Sequence, residues 1–289
     1  MTSQFQGVRA RRDLLLAAPA LLALGAAASM SAAAQPAAPA RPIRVLLLNP
    51  NSSDQFTDLI TREARKAGAP GTEFVGVSAP MGPRYIGTRA SSAVAGHALV
   101  DSLARTLAKD RNFDAAIVCG FGAQGAAALR EFAPFPVVDM LEASVSVALQ
   151  LGARFSVLTG GATWVPMLRD IIVGLGLGQR LASVRSIPLT GAEIVADQDR
   201  AIASLAELSE RCVKEDGADC VILGGAAVAG LPRKMAHRVS VPLIDNVALA
   251  VASAELLARH VSMPKRQGGY PSIDSVGLSE PLDKMLRQN

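Results

Sequence analysis

The sequence predicts an α/β fold made of two pseudo-symmetric Rossmann-like lobes with parallel sheets and a ligand cleft between them. Three observations carry the prediction. The first is an internal repeat. Ala116-Ile-Val-Cys-Gly120, followed by Pro136-Val-Val-Asp139, is matched by Val221-Ile-Leu-Gly-Gly225, followed by Pro242-Leu-Ile-Asp245. The second is that the Val-, Ile- and Leu-rich runs are continuous rather than alternating, the pattern of parallel strands covered on both faces. The third is that helix-length segments separate these runs, as βα units require.

The elements follow in order. Residues 1–34 read as a twin-arginine-type signal peptide: Arg11-Arg12 precedes an apolar stretch from Leu14 to Met30, and Ala32-Ala-Ala34 offers a small-residue cleavage pattern. Pro-rich 35–42 reads as a linker. Lobe 1 spans 43–140. Its strands are expected at 43–48, 73–78, 115–119 and 136–139, with helices at 54–66, 91–109 and 126–132. Lobe 2 spans 141–245 and restarts near Ala153, with strands at 155–159, 181–187, 220–223 and 243–244 and helices at 165–174, 200–215 and 232–238. A last helix, 246–260, is expected to pack back on lobe 1, and 261–289 reads as a polar, loose tail.

The 289 residues carry a formal charge of +4, which becomes +2 once Arg9, Arg11, Arg12 and Asp13 are removed with the leader. With few aromatics and no Lys/Arg cluster in the mature part, nucleic acid is not an expected partner, nor is a membrane after signal removal. Cys119, Cys212 and Cys220 are odd in number and lack C-x-x-C spacing, so they form no disulfide framework. His97, His237 and His260 lie far apart, and no metal site is expected. The protein is expected to be periplasmic and to bind a small molecule; homo-oligomerisation is left open.

Ligands of open parallel sheets bind outside the carboxyl ends of the strands. That places Asn49–Ser53, the loop at Gly82–Tyr85, Gly120–Gly125, Thr159–Thr163 and Gly224–Ala227 at one site. Gly120-x-Gly122-x-x-Gly125 follows a third strand and lacks the acidic partner of a dinucleotide fingerprint. It reads instead as a loop whose backbone N–H groups approach an anion at a helix N-terminus. Asn49 and Asn51, pinned around Pro50, are candidate ligand donors together with Ser52. Ser53 reads equally as a helix cap, as do Thr159 and Thr163.

Leu48-Asn-Pro-Asn-Ser-Ser53, Gly120-Phe-Gly-x-x-Gly125, Pro136-Val-Val, Arg180-Leu-Ala-Ser183 and Glu215-Asp-Gly-Ala-Asp219 with Val221-Ile-Leu-Gly224 together resemble the aspartate/glutamate/hydantoin racemase superfamily, nearest its hydantoin racemase branch. The resemblance spans about Ile43 to Leu257. It implies a cofactor-free site between two lobes, where a cysteine from each lobe faces the substrate and moves a proton to or from one side. It also marks a departure, because the two positions that carry those cysteines are here Gly120 and Gly225.

Cys220 lies five residues upstream along a strand and is out of reach. Cys119 neighbours the vacant position but should face away from it unless the strand bulges, and it is the candidate substitute. Substrate contacts are expected from Asn49, Asn51, Ser52, Tyr85, Phe121, Gly122, Thr159, Thr163 and Ala226. Two functions compete. One is an exported enzyme performing cofactor-independent proton transfer on a small carboxylate, amino acid or hydantoin-like ureide, including a decarboxylase-like variant. The other is a periplasmic small-anion binding protein without catalysis.

Overall fold

The computed structural model describes residues 41–264, 272 and 274–287; the expected signal peptide and nearly all of the linker lie outside them. The first lobe runs β1 (Arg44–Asn49), α1 (Asp54–Ala67), β2 (Glu73–Ser78), α2 (Arg89–Lys109), β3 (Ala115–Val118), α3 (Ala126–Phe132) and β4 (Val137–Asp139), and α4 (Met140–Leu151) follows. The second runs β5 (Phe155–Gly160), α5 (Trp164–Gly174), β6 (Leu181–Ile187), α6 (Gly191–Ala196), α7 (Gln198–Asp216), β7 (Cys220–Leu223), α8 (Leu231–Met235) and β8 (Leu243–Asp245), and α9 (Asn246–His260) follows.

The sheets have strand orders β2-β1-β3-β4 and β6-β5-β7-β8, and all pairings are parallel. The repeat seen in the sequence is thus a repeat of topology. Its register is fixed by equivalent hydrogen bonds. The Cys119 N–H donates to Leu48 O (2.9 Å), and the Gly224 N–H donates to Leu158 O (2.8 Å). Each bond extends a central strand pair by one residue, so Gly120 and Gly225 are the first residues beyond the sheets.

Asp139 and Asp245 end their strands and start the next helices without an intervening loop. Asp139 Oδ1 accepts from the Leu141 and Glu142 N–H groups (2.9 and 3.0 Å), and Asp245 Oδ1 accepts from Val247 and Ala248 (3.1 and 3.2 Å). A carboxylate at this position satisfies helix N–H groups that otherwise lack partners. The abrupt turn sends each helix across to the other lobe. Helix α4 packs on β7, β8 and α9, whereas α9 packs on β3, β4 and α1.

One apolar cluster therefore joins Val45, Leu47 and Ile117 of the first sheet to Phe155, Val157 and Ile222 of the second, through Val145, Ala148, Val247 and Val251. Each large side chain buried there contributes about 1.5–3 kcal/mol. The joint holds the two sets of strand ends at a fixed separation.

Three elements depart from the sequence reading. Helix α4 begins directly at the Asp139 cap, in a stretch the sequence reading leaves without an element. Helix α6 opens on a capping box, in which Thr190 Oγ1 accepts from the Glu193 N–H and the Glu193 carboxylate accepts from the Thr190 N–H. The C-terminal stretch is not loose throughout. Residues Glu280–Arg287 form α10, which packs on α2 with Leu282 buried, and Ser279 Oγ bonds to Asp101 just before it.

Candidate active site

The strand ends of both sheets enclose a cleft of about 660 Å³, open mouth included. Lobe 1 supplies Pro50, Asn51, Tyr85, Ile86 and the Cys119–Phe121 segment with Gln124, and Phe56 of α1. Lobe 2 supplies Thr159, Gly160, Trp164, Ile194 and the Gly224–Val228 turn. Of the residues expected to contact a ligand, Asn51, Tyr85, Phe121, Thr159 and Ala226 line this cleft, as do Gly120, Gly225 and Cys119.

Asn49 and Ser52 do not, and the reason is local. Asn49 is 1% exposed, and its Nδ2 donates to Thr57 Oγ1 (2.8 Å), Asn51 Oδ1 (3.1 Å) and Ser53 O (3.2 Å). It builds the turn and is not part of the cleft lining. Asn51 Oδ1 also accepts from the Ser53 N–H at 3.0 Å, and the residue lines the cleft. Ser52 donates from its N–H to Pro83 O (3.1 Å) and from Oγ to Gly82 O (3.2 Å), tying down the loop that carries Tyr85. Ser53 and Thr163 precede α1 and α5, but neither side chain caps its helix. Thr163 and Gly122 lie outside the cleft lining. Thr159 Oγ1 donates to Gly160 O at 3.4 Å and caps nothing.

Aromatic rings bridge the lobes. Tyr85, 45% exposed, reaches across so that its hydroxyl would sit 3.1 Å from a Cβ placed on Gly161 of lobe 2. Phe121 of lobe 1 packs against Gly224, where any side chain would overlap the ring. Trp164, at the start of α5, packs against Gly122, where a Cβ would lie 2.7 Å from its Cζ3. Neither Trp164 nor Phe56 was singled out from the sequence.

Gly120 and Gly225 are equivalent in topology but not in surroundings. A Cβ on Gly120 would run into Gln124 Oε1 and lie 2.6 Å from Pro50 Cγ. A Cβ on Gly225 would meet nothing within 4 Å, but that residue has φ +116°, a conformation L side chains rarely adopt. Asn246 holds it there, donating from Nδ2 to Gly225 O at 3.1 Å. One position is already filled and the other is open on a backbone shaped for glycine.

The filling group is Gln124, which sequence reasoning missed. It is 3% exposed, and its carboxamide sits between Gly120 and Gly122, touching the space where either would carry a side chain. Neither Oε1 nor Nε2 has a hydrogen-bond partner. The glycines of Gly120-x-Gly122-x-x-Gly125 thus make room for a side chain of their own loop. A polar residue embedded among them was the available signal.

The cysteines are uniformly buried. Cys119 is 2% exposed at the cleft floor, with Sγ donating to Ile117 O at 3.5 Å. Burial pushes its thiol far above the usual range, and the nearby Asp139 carboxylate pushes in the same direction. It is held neutral and is poorly suited to removing a proton. Cys220 points to Ala148 O (3.8 Å), away from the cleft, and burial raises it to about 11. Asp139, 1% exposed, is raised to about 7, mainly by burial, and its Oδ2 has no partner. The equivalent Asp245 Oδ2 accepts from the Gly230 N–H at 3.0 Å.

Tyr85 and Cys119 are the titratable side chains that line the cleft among the described residues. The rest of the lining is apolar or amide apart from the Thr159 hydroxyl. Such a wall can orient a neutral ring or a small anion and exclude water from it, but it offers little driving force for abstracting a proton.

The family model described as Asp/Glu/hydantoin racemase matches residues 45–254. A hydantoin racemase of Paenarthrobacter aurescens is 29% identical over 242 residues, covering 84% of this chain and 99% of that protein. Among solved structures, allantoin racemase from Pseudomonas fluorescens is 34% identical with a TM-score of 0.71, covering 78% of this chain and all of its own. Allantoin racemase from Klebsiella pneumoniae is 26% identical with a TM-score of 0.73, covering 83% and 98%.

Proposed function

The chain belongs to the Asp/Glu/hydantoin racemase family, and from that premise we propose that it performs cofactor-independent proton transfer on a small hydantoin-like ureide, amino acid or carboxylate, without the paired thiols of a two-cysteine racemase. The observation that carries this reading is that the two equivalent positions beyond β3 and β7 are glycines, both lining the cleft. A positioned acid or base contributes about 10²- to 10⁴-fold in rate, and two bare backbone positions contribute none of it. The exposed Tyr85 hydroxyl is then the acid/base candidate, and Asn51 and the Ala226 turn are the substrate's hydrogen-bonding partners.

Relatives at 29% and 34% identity are racemases of ring ureides, which favours that substrate class. The test is incubation in D2O with 5-substituted hydantoins, allantoin and free amino acids, followed by NMR of the α-proton and by polarimetry. Slow α-proton exchange on a ureide is expected. No exchange on any of these compounds refutes the enzymatic reading.

A second reading, a binding protein without turnover, is favoured by the lining itself, whose titratable groups are Tyr85 and the neutral Cys119. Saturable calorimetric binding without exchange would select it. We also propose export through the twin-arginine route, on the strength of Arg11-Arg12, the apolar Leu14–Met30 stretch and Ala32-Ala-Ala34. Substituting both arginines by lysine should keep the protein out of the periplasmic fraction.

A further inference from the structure

We infer that Gln124 is the ligand-reading group on the lobe 1 wall, and that its carboxamide selects an N–H lying beside a C=O, the edge of a cyclic imide, lactam or ureide, over a carboxylate. The inference rests on the cleft being the binding site and deepens that reading by naming the residue that discriminates.

The argument begins with an imbalance. Gln124 lines the cleft and is 3% exposed, and its donor and acceptor are both buried and unmatched, so a ligand meets them once the side chain turns toward the cleft. A buried polar group without a partner is costly, and two on one amide are tolerated only where something else supplies the partners. The repeat shows that the fold does not require this residue. Gly125 and Gly230 are equivalent helix starts in left-handed conformation, with φ +70° and +76°, so the residue before each is equivalent too. In lobe 2 that residue is Ala229, buried and apolar. The amide is therefore a feature of one wall alone, and it occupies the space beside Gly120 that a side chain there would fill.

The chemistry of the ligand follows from that of the amide. Oε1 needs a donor, and Nε2 needs an acceptor next to it. An N–H adjacent to a C=O meets both in one plane. A carboxylate presents acceptors only, so it would satisfy Nε2 while setting negative charge against Oε1, in a lining that holds no Lys, Arg or His among the described residues.

The test is calorimetry with two probes: 5-methylhydantoin, and 1,3-dimethyl-5-methylhydantoin, which keeps both carbonyls and has no N–H. Wild type is compared with Gln124→Met, of similar length but without the amide, and with Gln124→Leu. Thermal melts check that both variants fold. Wild type should bind 5-methylhydantoin at least about tenfold more tightly than either variant, as the loss of two hydrogen bonds implies. The dimethyl probe should bind all three proteins equally weakly. Failure of wild type to bind 5-methylhydantoin, affinities within twofold across the three proteins, or an equal loss on N-methylation in all of them would overturn the inference. Binding is read without turnover, so α-proton exchange can fail, sinking the enzymatic reading, while this result stands.

Discussion

Placing a cysteine on Gly120 exposes how completely the lobe 1 position has been refilled. Its Cβ would lie 2.6 Å from Pro50 Cγ and would overlap Gln124 Oε1. Carbon atoms pack best at about 3.5–4.0 Å, so the proline ring would have to retreat by about 0.9 Å at the least. The glutamine can rotate away, but Pro50 is held between Asn49 and Asn51, whose amides bond to each other and to the turn. Overpacking of this kind costs about 1–3 kcal/mol. Gly120→Cys should be destabilised by that amount, and trimming Gln124 in the double variant Gly120→Cys/Gln124→Ala should recover part of it, a coupling of about 1 kcal/mol.

Urea unfolding of wild type, both single variants and the double variant measures the coupling directly. Gly225→Cys is the control. Its space is open but its backbone is not, so it should lose about 1–3 kcal/mol through strain, with no coupling to Gln124→Ala. A Gly120→Cys protein within about 0.5 kcal/mol of wild type, or strictly additive effects with Gln124→Ala, would refute this picture of the site.

Other predictions follow from the buried titratable groups and from Tyr85. The folded Asp139 carboxyl is raised to about 7 from 3.8, so the folded state holds a proton that the unfolded chain has released between those values. Stability should therefore fall as pH rises from about 4 to 7, and Asp139→Asn, which can still cap α4, should abolish that slope in urea titrations across pH 4.5–8. All three thiols are buried and pushed upward. The native protein should thus react with a disulfide reagent at pH 8 by less than one equivalent, and rapid reaction of one thiol would contradict the burial. Tyr85→Phe should leave the melting temperature unchanged, because the side chain is exposed, yet slow α-proton exchange by about 10²-fold or more if the phenol carries the proton.

Most of the fold was legible because buried parallel strands announce themselves. The ranges of β2, β6 and β7 follow from apolar runs bounded by polar or glycine punctuation. Helix α4 was not legible, because Asp139 ends a strand and caps a helix at once, leaving no loop composition to mark the change. At the site, the glycine pair emerged from the repeat alone. The roles of Asn49 and Ser52 did not, since a polar side chain at a strand end serves its own turn as readily as a ligand, and only hydrogen-bond partners separate the two. Gln124 was hidden by its glycines, which read as room for backbone N–H groups to approach an anion when they are space made for one side chain. Its asymmetry with Ala229 follows from the equivalent helix starts at Gly125 and Gly230.

The central claim is that proton chemistry in this cleft proceeds without a thiol. Its most direct test is α-proton exchange of 5-methylhydantoin in D2O, followed by NMR for wild type and Cys119→Ala, the cysteine that touches the cleft. Rates within about threefold of each other are predicted, since a factor of ten corresponds to only 1.36 kcal/mol in the barrier. A Cys119→Ala protein whose exchange falls by about 10² or more, the loss expected on removing a working acid or base, would contradict the account.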